Sequence, residues 1–278
     1  MKSHVLITGA AGGLGKAFAA ECASRGWDLF LTDMREASLS VLAEGLRRLY
    51  NVCVRYAPCN LADAADREKL WENIHAEAHQ FHMLINVAGL DFEGPFAERS
   101  LEELGTIIRL NIESVVSMTR TVLQFRDPAR TLRIINVSSL AGFYPMPVKA
   151  VYAASKRFLL DFSLALRREL RESDVTVTAL CPSGMPTNPP VIRAIEAQGF
   201  MGRVTAKNVG FVASRTIDRA LANRAVYIPG AINIALRYLS AVVPRSVITA
   251  FIGKRWHADA KRQAHPRLAL SAAKPGIG

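Results

Sequence analysis

Two side chains with complementary acid–base chemistry lie four residues apart in the stretch Tyr152-Ala153-Ala154-Ser155-Lys156. On a helix this spacing places the phenol and the ammonium on one face. A neighbouring ammonium stabilises a phenolate and so lowers a phenol pKa that is ordinarily about 10. Such a tyrosine can exchange a proton with a substrate oxygen. Taken alone, the pair fits at least as well a helix with a core aromatic and a solvated lysine.

A third polar group precedes this pair. The apolar stretch Ile135-Asn136-Val137 ends in Ser138 and Ser139, and Ser139 lies 13 residues before Tyr152. The Tyr152 and Lys156 pair therefore does not stand alone, because two hydroxyls close a buried strand shortly before it.

A glycine-rich turn near the N-terminus predicts a phosphate-binding site. The residues from Thr8 to Gly15 follow a strand pattern and precede a helix pattern. This context lets the backbone approach a pyrophosphate at a helix N-terminus. Asp33 ends the second strand 18 residues after Gly15, near the distance at which an acid receives adenosine ribose hydroxyls. Asp33 favours NAD over NADP, although Arg35 stands close enough to swing toward a 2′-phosphate.

Together these motifs resemble the short-chain dehydrogenase/reductase family. The matches occur in the family's order from residue 5 to about residue 190, and together they are highly specific. They are Thr-Gly-x-x-x-Gly-x-Gly at Thr8 to Gly15, a variant of Asn-Asn-Ala-Gly at Asn86-Val87-Ala88-Gly89, a helical asparagine at Asn111, the second serine of a pair at Ser139, Tyr-x-x-x-Lys at Tyr152 and Lys156, and a proline-led turn from Pro182 to Thr187.

The resemblance implies an oxidoreductase that moves hydride between a nicotinamide cofactor and an alcohol or carbonyl group. Tyr152 would be the general acid/base, and Ser139 would hold the substrate oxygen. Lys156 would lower the pKa of Tyr152 and bind the nicotinamide ribose, and Asn111 would anchor a water next to Lys156. The implied cofactor contacts are Thr8, Gly9, Gly13, Leu14, Gly15, Asp33, Asn60, Leu61, Asn86, Ala88, Gly89, Tyr152, Lys156, Pro182 and Thr187.

Three positions depart from the family pattern. Val87 replaces the second asparagine of Asn-Asn-Ala-Gly, Asn60 stands where aspartate is frequent, and Ser183 replaces the glycine usual after the proline. None of them removes a catalytic group. Gly12 agrees with NAD, because NADP-preferring relatives often carry a basic residue in that part of the turn.

Alternating short apolar runs and longer amphipathic stretches predict a doubly wound α/β domain with a parallel sheet, a Rossmann fold, over residues 1–230. The predicted strands are His4–Thr8, Leu29–Thr32, Val52–Ala57, Met83–Val87, Leu132–Val137, Val175–Leu180 and Val226–Ile228. The predicted helices are Gly15–Ser24, Glu36–Leu49, Asp66–His79, Leu101–Gln124, Tyr152–Arg171 and Ala206–Asn223.

Residues 231–278 form a predicted helical, basic extension. Eight Lys and Arg residues stand against one acid, Asp259, which gives this segment +7 of the chain's net charge of +11. One interpretation is a pair of helices that cover the substrate cleft or an oligomer interface; the other is peripheral membrane contact through residues 231–256. The apolar residues at the helical spacing are Ile232, Ala235, Leu236, Leu239, Val242 and Val243, then Val247, Ile248, Phe251, Ile252 and Trp256.

The family resemblance implies a homodimer or homotetramer through the Leu101 and Tyr152 helices, and the remaining features predict a cytoplasmic protein that acts on an apolar small molecule. Four cysteines without metal-ligand spacing indicate reduced thiols, and no nucleic-acid module is recognisable. We interpret His75, His79 and His82 as a solvated helix end rather than a metal site. Ile192, Ile195, Phe200 and Met201 suggest an apolar lid over the substrate or, equally, packing against a neighbour. The rival functions are a non-catalytic NAD-binding sensor or scaffold, and an epimerase or dehydratase of the same family.

Overall fold

The computed structural model describes residues 3–186, 205–250 and 252–254. Its strands are β1 (Ser3–Thr8), β2 (Asp28–Asp33), β3 (Val54–Pro58), β4 (Gln80–Asn86), β5 (Leu132–Val137), β6 (Val175–Leu180) and β7 (Val226–Tyr227). Its helices are α1 (Gly13–Ser24), α2 (Glu36–Tyr50), α3 (Ala64–Ala76), α4 (Leu101–Ile108), α5 (Ser114–Val122), α6 (Ala150–Glu169), α7 (Val209–Leu221) and α8 (Ala231–Val242).

The seven strands form one parallel sheet in the order β3-β2-β1-β4-β5-β6-β7. This confirms the doubly wound α/β prediction. The strand order reverses between β1 and β4, so the connections leave these two neighbours toward opposite sides. A crevice for ligands opens at such a reversal, beyond the carboxyl ends of the strands.

The core has one apolar layer on each face of the sheet. Phe18 of α1 and Ile217 of α7 are fully buried on one face. Leu70 of α3 and Met118 of α5 are buried against the other. Because both faces are covered, the central strands carry apolar side chains in succession, such as Val5, Leu6 and Ile7, and lack the alternation of a half-exposed sheet.

The prediction of one uninterrupted helix, Leu101–Gln124, is wrong, because the structure interrupts this helix in its middle. A π-helical turn, Arg109–Glu113, separates α4 from α5, and a 3₁₀ turn, Leu123–Phe125, ends the segment. A π-helical turn inserts one residue into a helix, and it commonly does so at functional sites. Here it carries Asn111, whose side chain makes hydrogen bonds across the fold.

The solvated helix end expected at His75, His79 and His82 is also wrong for His82. This residue lies within β4 and is 5% exposed, and its burial lowers its pKa to about 4. Its Nδ1 lies 3.1 Å from the hydroxyl oxygen of Ser3 on the neighbouring strand. Within the described residues, no helix has both the length and the apolar character that crossing a bilayer requires.

Candidate active site

The glycine-rich turn brings the backbone of β1 close to the chain that follows β4. Gly9 has φ +62°, and a Cβ at this position would lie 2.8 Å from the Cα and N atoms of Ala88. A Cβ on Gly15 would lie 2.1 Å from the carbonyl oxygen of Gly9. Both approaches require glycine, so the turn stays open to a phosphate at the N-terminus of α1.

Thr8 joins the ends of the two strands at the crevice. Its hydroxyl oxygen accepts hydrogen bonds from the backbone N–H groups of Val87 (3.0 Å) and Ala88 (3.2 Å). Asn86, the residue before Val87, donates hydrogen bonds to the side-chain oxygens of Asn136 on β5 (2.9 Å) and Thr119 on α5 (3.2 Å). Val87 replaces the second asparagine of the Asn-Asn-Ala-Gly motif, but its backbone N–H still bonds to Thr8. The end of β4 therefore stays anchored.

Asp33 forms a compact ion pair with Arg35 at the end of β2. The Asp33 side chain is 7% exposed and accepts hydrogen bonds from the backbone N–H groups of Ala11 (3.1 Å) and Arg35 (3.1 Å). The Arg35 guanidinium donates to both carboxylate oxygens, at 3.0 and 3.2 Å. The Arg35 side chain is 55% exposed, whereas the backbone of the glycine-rich turn helps to hold the buried Asp33 carboxylate.

The catalytic candidates meet where β5 ends against α6. Tyr152 and Lys156 lie on one face of α6, with the Lys156 ammonium 5.7 Å from the centroid of the Tyr152 ring. Lys156 donates a hydrogen bond to the carbonyl oxygen of Val137 (2.9 Å), and its own carbonyl accepts one from the Ser138 hydroxyl (2.6 Å). Ser139 lies close enough to the phenol of Tyr152 to lower its pKa, and the Ser139 hydroxyl oxygen accepts a hydrogen bond from the Ala141 N–H (3.1 Å). The structure thus brings Ser139, Tyr152 and Lys156 together, as the sequence predicts.

Asn111 completes this cluster from the π-helical turn. It is fully buried, and its amide donates to the Leu90 carbonyl (2.9 Å) and the Ser155 hydroxyl (3.1 Å). A Cβ added to Gly89 would lie 3.1 Å from the Asn111 side-chain oxygen and 3.2 Å from the Lys156 ammonium. Asn111 and Lys156 therefore face the same glycine, at the floor of the crevice.

Burial shifts the pKa of both members of the tyrosine–lysine pair. The sequence predicts that Lys156 lowers the pKa of Tyr152, but in the structure burial raises this pKa. The negative charge of Asp91 adds to the rise, while the Ser139 hydrogen bond and the Lys149 charge oppose it. Burial lowers the pKa of Lys156 to about 8, because the interior disfavours its charged form. Strongly shifted groups in a crevice are typical of active sites.

The other predicted contacts are distributed around the crevice. The Asn60 side-chain oxygen accepts a hydrogen bond from the Ala62 N–H (3.2 Å), and Leu61 is buried in the core. The Pro182 carbonyl accepts a hydrogen bond from the Leu140 N–H (2.8 Å). Thr187 and the predicted lid Val191–Arg203 lie outside the described residues.

The family model for short chain dehydrogenases matches residues 3–191. The chain is a short-chain dehydrogenase/reductase. This family comprises nicotinamide-dependent oxidoreductases that act on alcohol and carbonyl groups. The matched range contains the glycine turn, Asp33, Asn111, Ser139, Tyr152 and Lys156, and so confirms the resemblance seen in the sequence.

Similar proteins of this family act on chemically different substrates. The chain is 34% identical to sulfoacetaldehyde reductase 2 of Chromohalobacter salexigens over 195 residues, which are 69% of this chain and 77% of that enzyme. It is 33% identical to mouse 17-beta-hydroxysteroid dehydrogenase type 3 over 192 residues, or 67% of this chain; the match spans only 61% of the mouse enzyme's length.

Among solved structures, a short-chain dehydrogenase from Sphingobium yanoikuyae in complex with NADPH superposes with a TM-score of 0.71 at 25% identity. This superposition covers 99% of this chain and 97% of that one. A 7beta-hydroxysteroid dehydrogenase gives a TM-score of 0.78 at 22% identity and shows the shared fold.

The crevice of this short-chain dehydrogenase/reductase fits a dinucleotide. Gly9 and Gly15 leave the backbone bare at the N-terminus of α1, where a pyrophosphate is favoured. Gly89 leaves space in front of the Lys156 ammonium and Asn111, beside the phenol of Tyr152. A side chain at Gly89 would enter this space, and one at Gly9 or Gly15 would collide with backbone and distort the turn.

The sequence analysis missed a second lysine at the active site. Lys149 precedes α6 by one residue and forms ion pairs with Asp91 and Glu93, both at 2.7 Å, while its ammonium lies 5.9 Å from the centroid of the Tyr152 ring. Val148, just before it, has φ +58°, a strained conformation for a β-branched residue. Its carbonyl accepts a hydrogen bond from Gly94 (2.9 Å). The three-residue spacing from Lys149 to Tyr152 was the one sign in the sequence that Lys149 lies near the active site. Its acidic partners lie about 55 residues away in the sequence.

Proposed function

We propose that this protein interconverts an alcohol and a carbonyl compound, with Tyr152 as the general acid/base. The observation that carries the proposal is the convergence of Tyr152, Ser139 and Lys156 beside the glycine cradle. The nicotinamide cofactor, when bound, supplies or accepts the hydride at the substrate carbon. The remaining chemistry, which is proton transfer at the substrate oxygen, belongs to the protein.

In the proposed mechanism the Tyr152 hydroxyl gives its proton to the substrate oxygen during reduction and removes it during oxidation. Ser139 donates a hydrogen bond to the same oxygen as it becomes negative. The Lys156 ammonium stabilises the phenolate that remains and holds the nicotinamide ribose, and Asn111 anchors a water that connects Lys156 to solvent. Gly9, Gly13, Leu14 and Gly15 hold the pyrophosphate, while Asn86, Ala88 and Gly89 line the cofactor's lower side.

We propose NAD as the preferred cofactor because Asp33 ends β2 with its carboxylate at the crevice. A carboxylate can accept hydrogen bonds from ribose hydroxyls but repels a 2′-phosphate. NAD binding then requires the Arg35 guanidinium to release the Asp33 carboxylate. NADP binding would instead place the Arg35 guanidinium on the phosphate.

Dissociation constants for both cofactors test this preference. We expect tighter binding of NAD. We also expect Asp33→Ala to reduce the difference between the two dissociation constants, because it removes the repulsion between the carboxylate and the 2′-phosphate. Arg35→Ala should weaken NADP binding about tenfold or more and leave NAD binding unchanged. Tighter binding of NADP by the unaltered protein would show that Arg35 governs the site.

We propose an apolar substrate. A cavity beside Tyr152 is lined by apolar side chains of the loop after β4 and of α4, namely Phe92, Phe96, Leu104 and Ile107. Apolar side chains that surround a few polar groups are typical of pockets for small molecules.

A substrate panel tests both the reaction and this preference. Short, long-chain and steroid-like alcohols and ketones are incubated with the protein and either cofactor, and turnover is read from the absorbance of the reduced nicotinamide. We expect turnover with the bulky apolar compounds and little with short polar ones. Cofactor binding without turnover of any compound would support a sensor or scaffold instead.

We also propose a homodimer or homotetramer formed through α4 and α6. Both helices present apolar side chains to solvent: Leu101 and Ile108 on α4, and Phe158 and Leu164 on α6. Such surfaces are ordinarily covered by a partner. The cytoplasm remains the predicted compartment, and the small-molecule substrate the principal partner.

A further inference from the structure

The last described helix of the fold, α8, turns its polar side toward the protein and its apolar side outward. Among the residues of α8 whose burial is described, the buried one is Asn233. Its amide nitrogen lies within hydrogen-bond distance of the Ser183 hydroxyl oxygen (3.0 Å) and of the carbonyl oxygens of Thr205 (3.1 Å) and Pro229 (2.6 Å), which share its two N–H groups. Arg237, one turn later on the same side, places its guanidinium 5.5 Å from the centroid of the Phe143 ring.

The opposite side of α8 is continuously apolar. The exposed residues that the structure describes on this helix are Ala231, Ile232, Ile234, Ala235, Tyr238, Leu239 and Val242. At 100° per residue they cover close to half of the helix circumference. A surface helix in water normally has the reverse orientation, so this side is built for an apolar environment. We name these seven residues the α8 apolar face.

Basic residues follow the α8 apolar face in the sequence. A second helical stretch, residues 245–250, continues after Pro244, and the exposed side chains of Arg245 and Lys254 flank it. The sequence beyond residue 230 carries eight basic residues against the single acid Asp259. An apolar helix face that is followed in the chain by the exposed basic residues Arg245 and Lys254 matches a membrane surface, whose acyl chains receive the face and whose anionic headgroups attract the positive charges.

A second copy of the chain fits the same face less well. In a two-fold contact the same surface meets itself, and residues 231–254 contain three basic and no acidic residues, so this segment of a second copy would bring no complementary negative charge. We therefore propose that the α8 apolar face binds the surface of membranes that contain anionic lipid, with α8 lying in the plane of the interface.

This orientation places the membrane next to the substrate side of the active site. Asn233 holds Ser183, the neighbour of Pro182, and a Cβ on Gly253 would lie 3.7 Å from Pro147, two residues before Lys149. If the proposed apolar substrate is correct, it would have a short path from lipid to Tyr152. Membrane binding itself does not depend on that substrate.

Vesicle flotation of the full-length protein tests the proposal. The vesicles are phosphatidylcholine alone or phosphatidylcholine mixed with phosphatidylserine, in low-salt buffer. We expect flotation only with the mixed vesicles, and a bound fraction that falls as added salt screens the basic residues. Absence of flotation with anionic vesicles at low salt would overturn the proposal.

Matched variants locate the binding surface. The double variant Leu239→Glu, Val242→Glu places charges on residues that are 59% and 78% exposed, and we expect it to lower vesicle affinity about tenfold or more. The control, Val41→Glu with Leu49→Glu, alters residues that are 73% and 76% exposed on α2, at the opposite edge of the sheet, and should bind as the unaltered protein does. Equal loss in both variants would contradict a specific face.

Two further measurements on the same variants separate this proposal from its rivals. Turnover of a water-soluble alcohol or carbonyl compound should be unchanged in both, because neither pair of residues belongs to the active site. If the unaltered protein and both variants show no turnover, the proposed reaction is contradicted, whereas the flotation result still holds. If size-exclusion chromatography shows that only the α8 variant changes its oligomeric state, the face is an interface between copies and the membrane proposal is wrong.

Discussion

The phenol of Tyr152 lies in an electrostatic field set by residues from separate parts of the chain. Ser139 and Lys149 favour the phenolate, whereas burial and the negative charge of Asp91 favour the protonated phenol. Lys149 itself is partly desolvated, yet its ion pairs with Asp91 and Glu93 outweigh this effect and raise its pKa, so it stays charged. Lys149 is thus a positioning residue that joins the loop after β4 to the start of the catalytic helix.

Replacing Lys149 by Met should move the pH dependence of alcohol oxidation to higher pH. Oxidation needs the phenolate, and removal of the cation leaves Asp91 and Glu93 to raise the pKa of Tyr152 further. Asp91→Asn should move the profile the opposite way. Rates of oxidation measured over a pH series check both signs. Identical profiles in both variants and the unaltered protein would mean that the Lys149 cluster holds the loop without influencing Tyr152.

At the level of elements, the cofactor cradle depends on two glycines whose Cβ positions are already filled by backbone. Gly15→Ala should lower the free energy of unfolding by several kcal/mol, or weaken cofactor binding by a comparable amount, because its Cβ would overlap the Gly9 carbonyl oxygen at 2.1 Å. Thermal unfolding and cofactor titration measure the two effects.

Gly45 provides the matched control for this change. It lies within α2, and a Cβ at this position meets nothing within 4 Å. Gly45→Ala should therefore stabilise the protein by about 0.5–1 kcal/mol, as expected for a helical glycine replaced by alanine. An equal loss of stability in both variants would contradict the specific role of the turn.

The sequence predicts the elements that depend on local patterns, and it predicts the residues at their ends. Apolar runs identify the seven parallel strands, and residues such as Thr8, Asp33 and Ser139 then occupy their carboxyl ends. The π-helical turn at Asn111 could not be predicted, because it is stabilised by Leu90 and Ser155, which are remote in sequence. The ion pairs of Lys149 escaped prediction for the same reason.

At the scale of the whole molecule, the segment after residue 230 contacts the catalytic domain through polar groups, which helical periodicity alone could not reveal. Its apolar positions were recognisable in the sequence, but either a protein or a lipid neighbour was consistent with them. The structure decides which side of α8 faces the domain, because Asn233 and Arg237 contact it.

Asn233→Ala should lower the free energy of unfolding by about 1–3 kcal/mol, since the two N–H groups that serve the surrounding acceptors would be lost. Chemical denaturation measures this effect. The exposed α8 variant Leu239→Glu serves as the comparison and should change stability by less than about 0.5 kcal/mol. A neutral Asn233→Ala variant would indicate that the extension does not pack on the domain as described.

The assignment of Tyr152 as the general acid/base is tested most directly by Tyr152→Phe, which removes the exchangeable proton and keeps the ring. Turnover of the best substrate in the panel and the dissociation constant of the cofactor are measured in this variant and in Tyr144→Phe, a tyrosine outside the catalytic group. We expect turnover to fall by roughly a thousandfold in Tyr152→Phe alone, with cofactor affinity close to that of the unaltered protein. Turnover near the unaltered rate in Tyr152→Phe would contradict the mechanism.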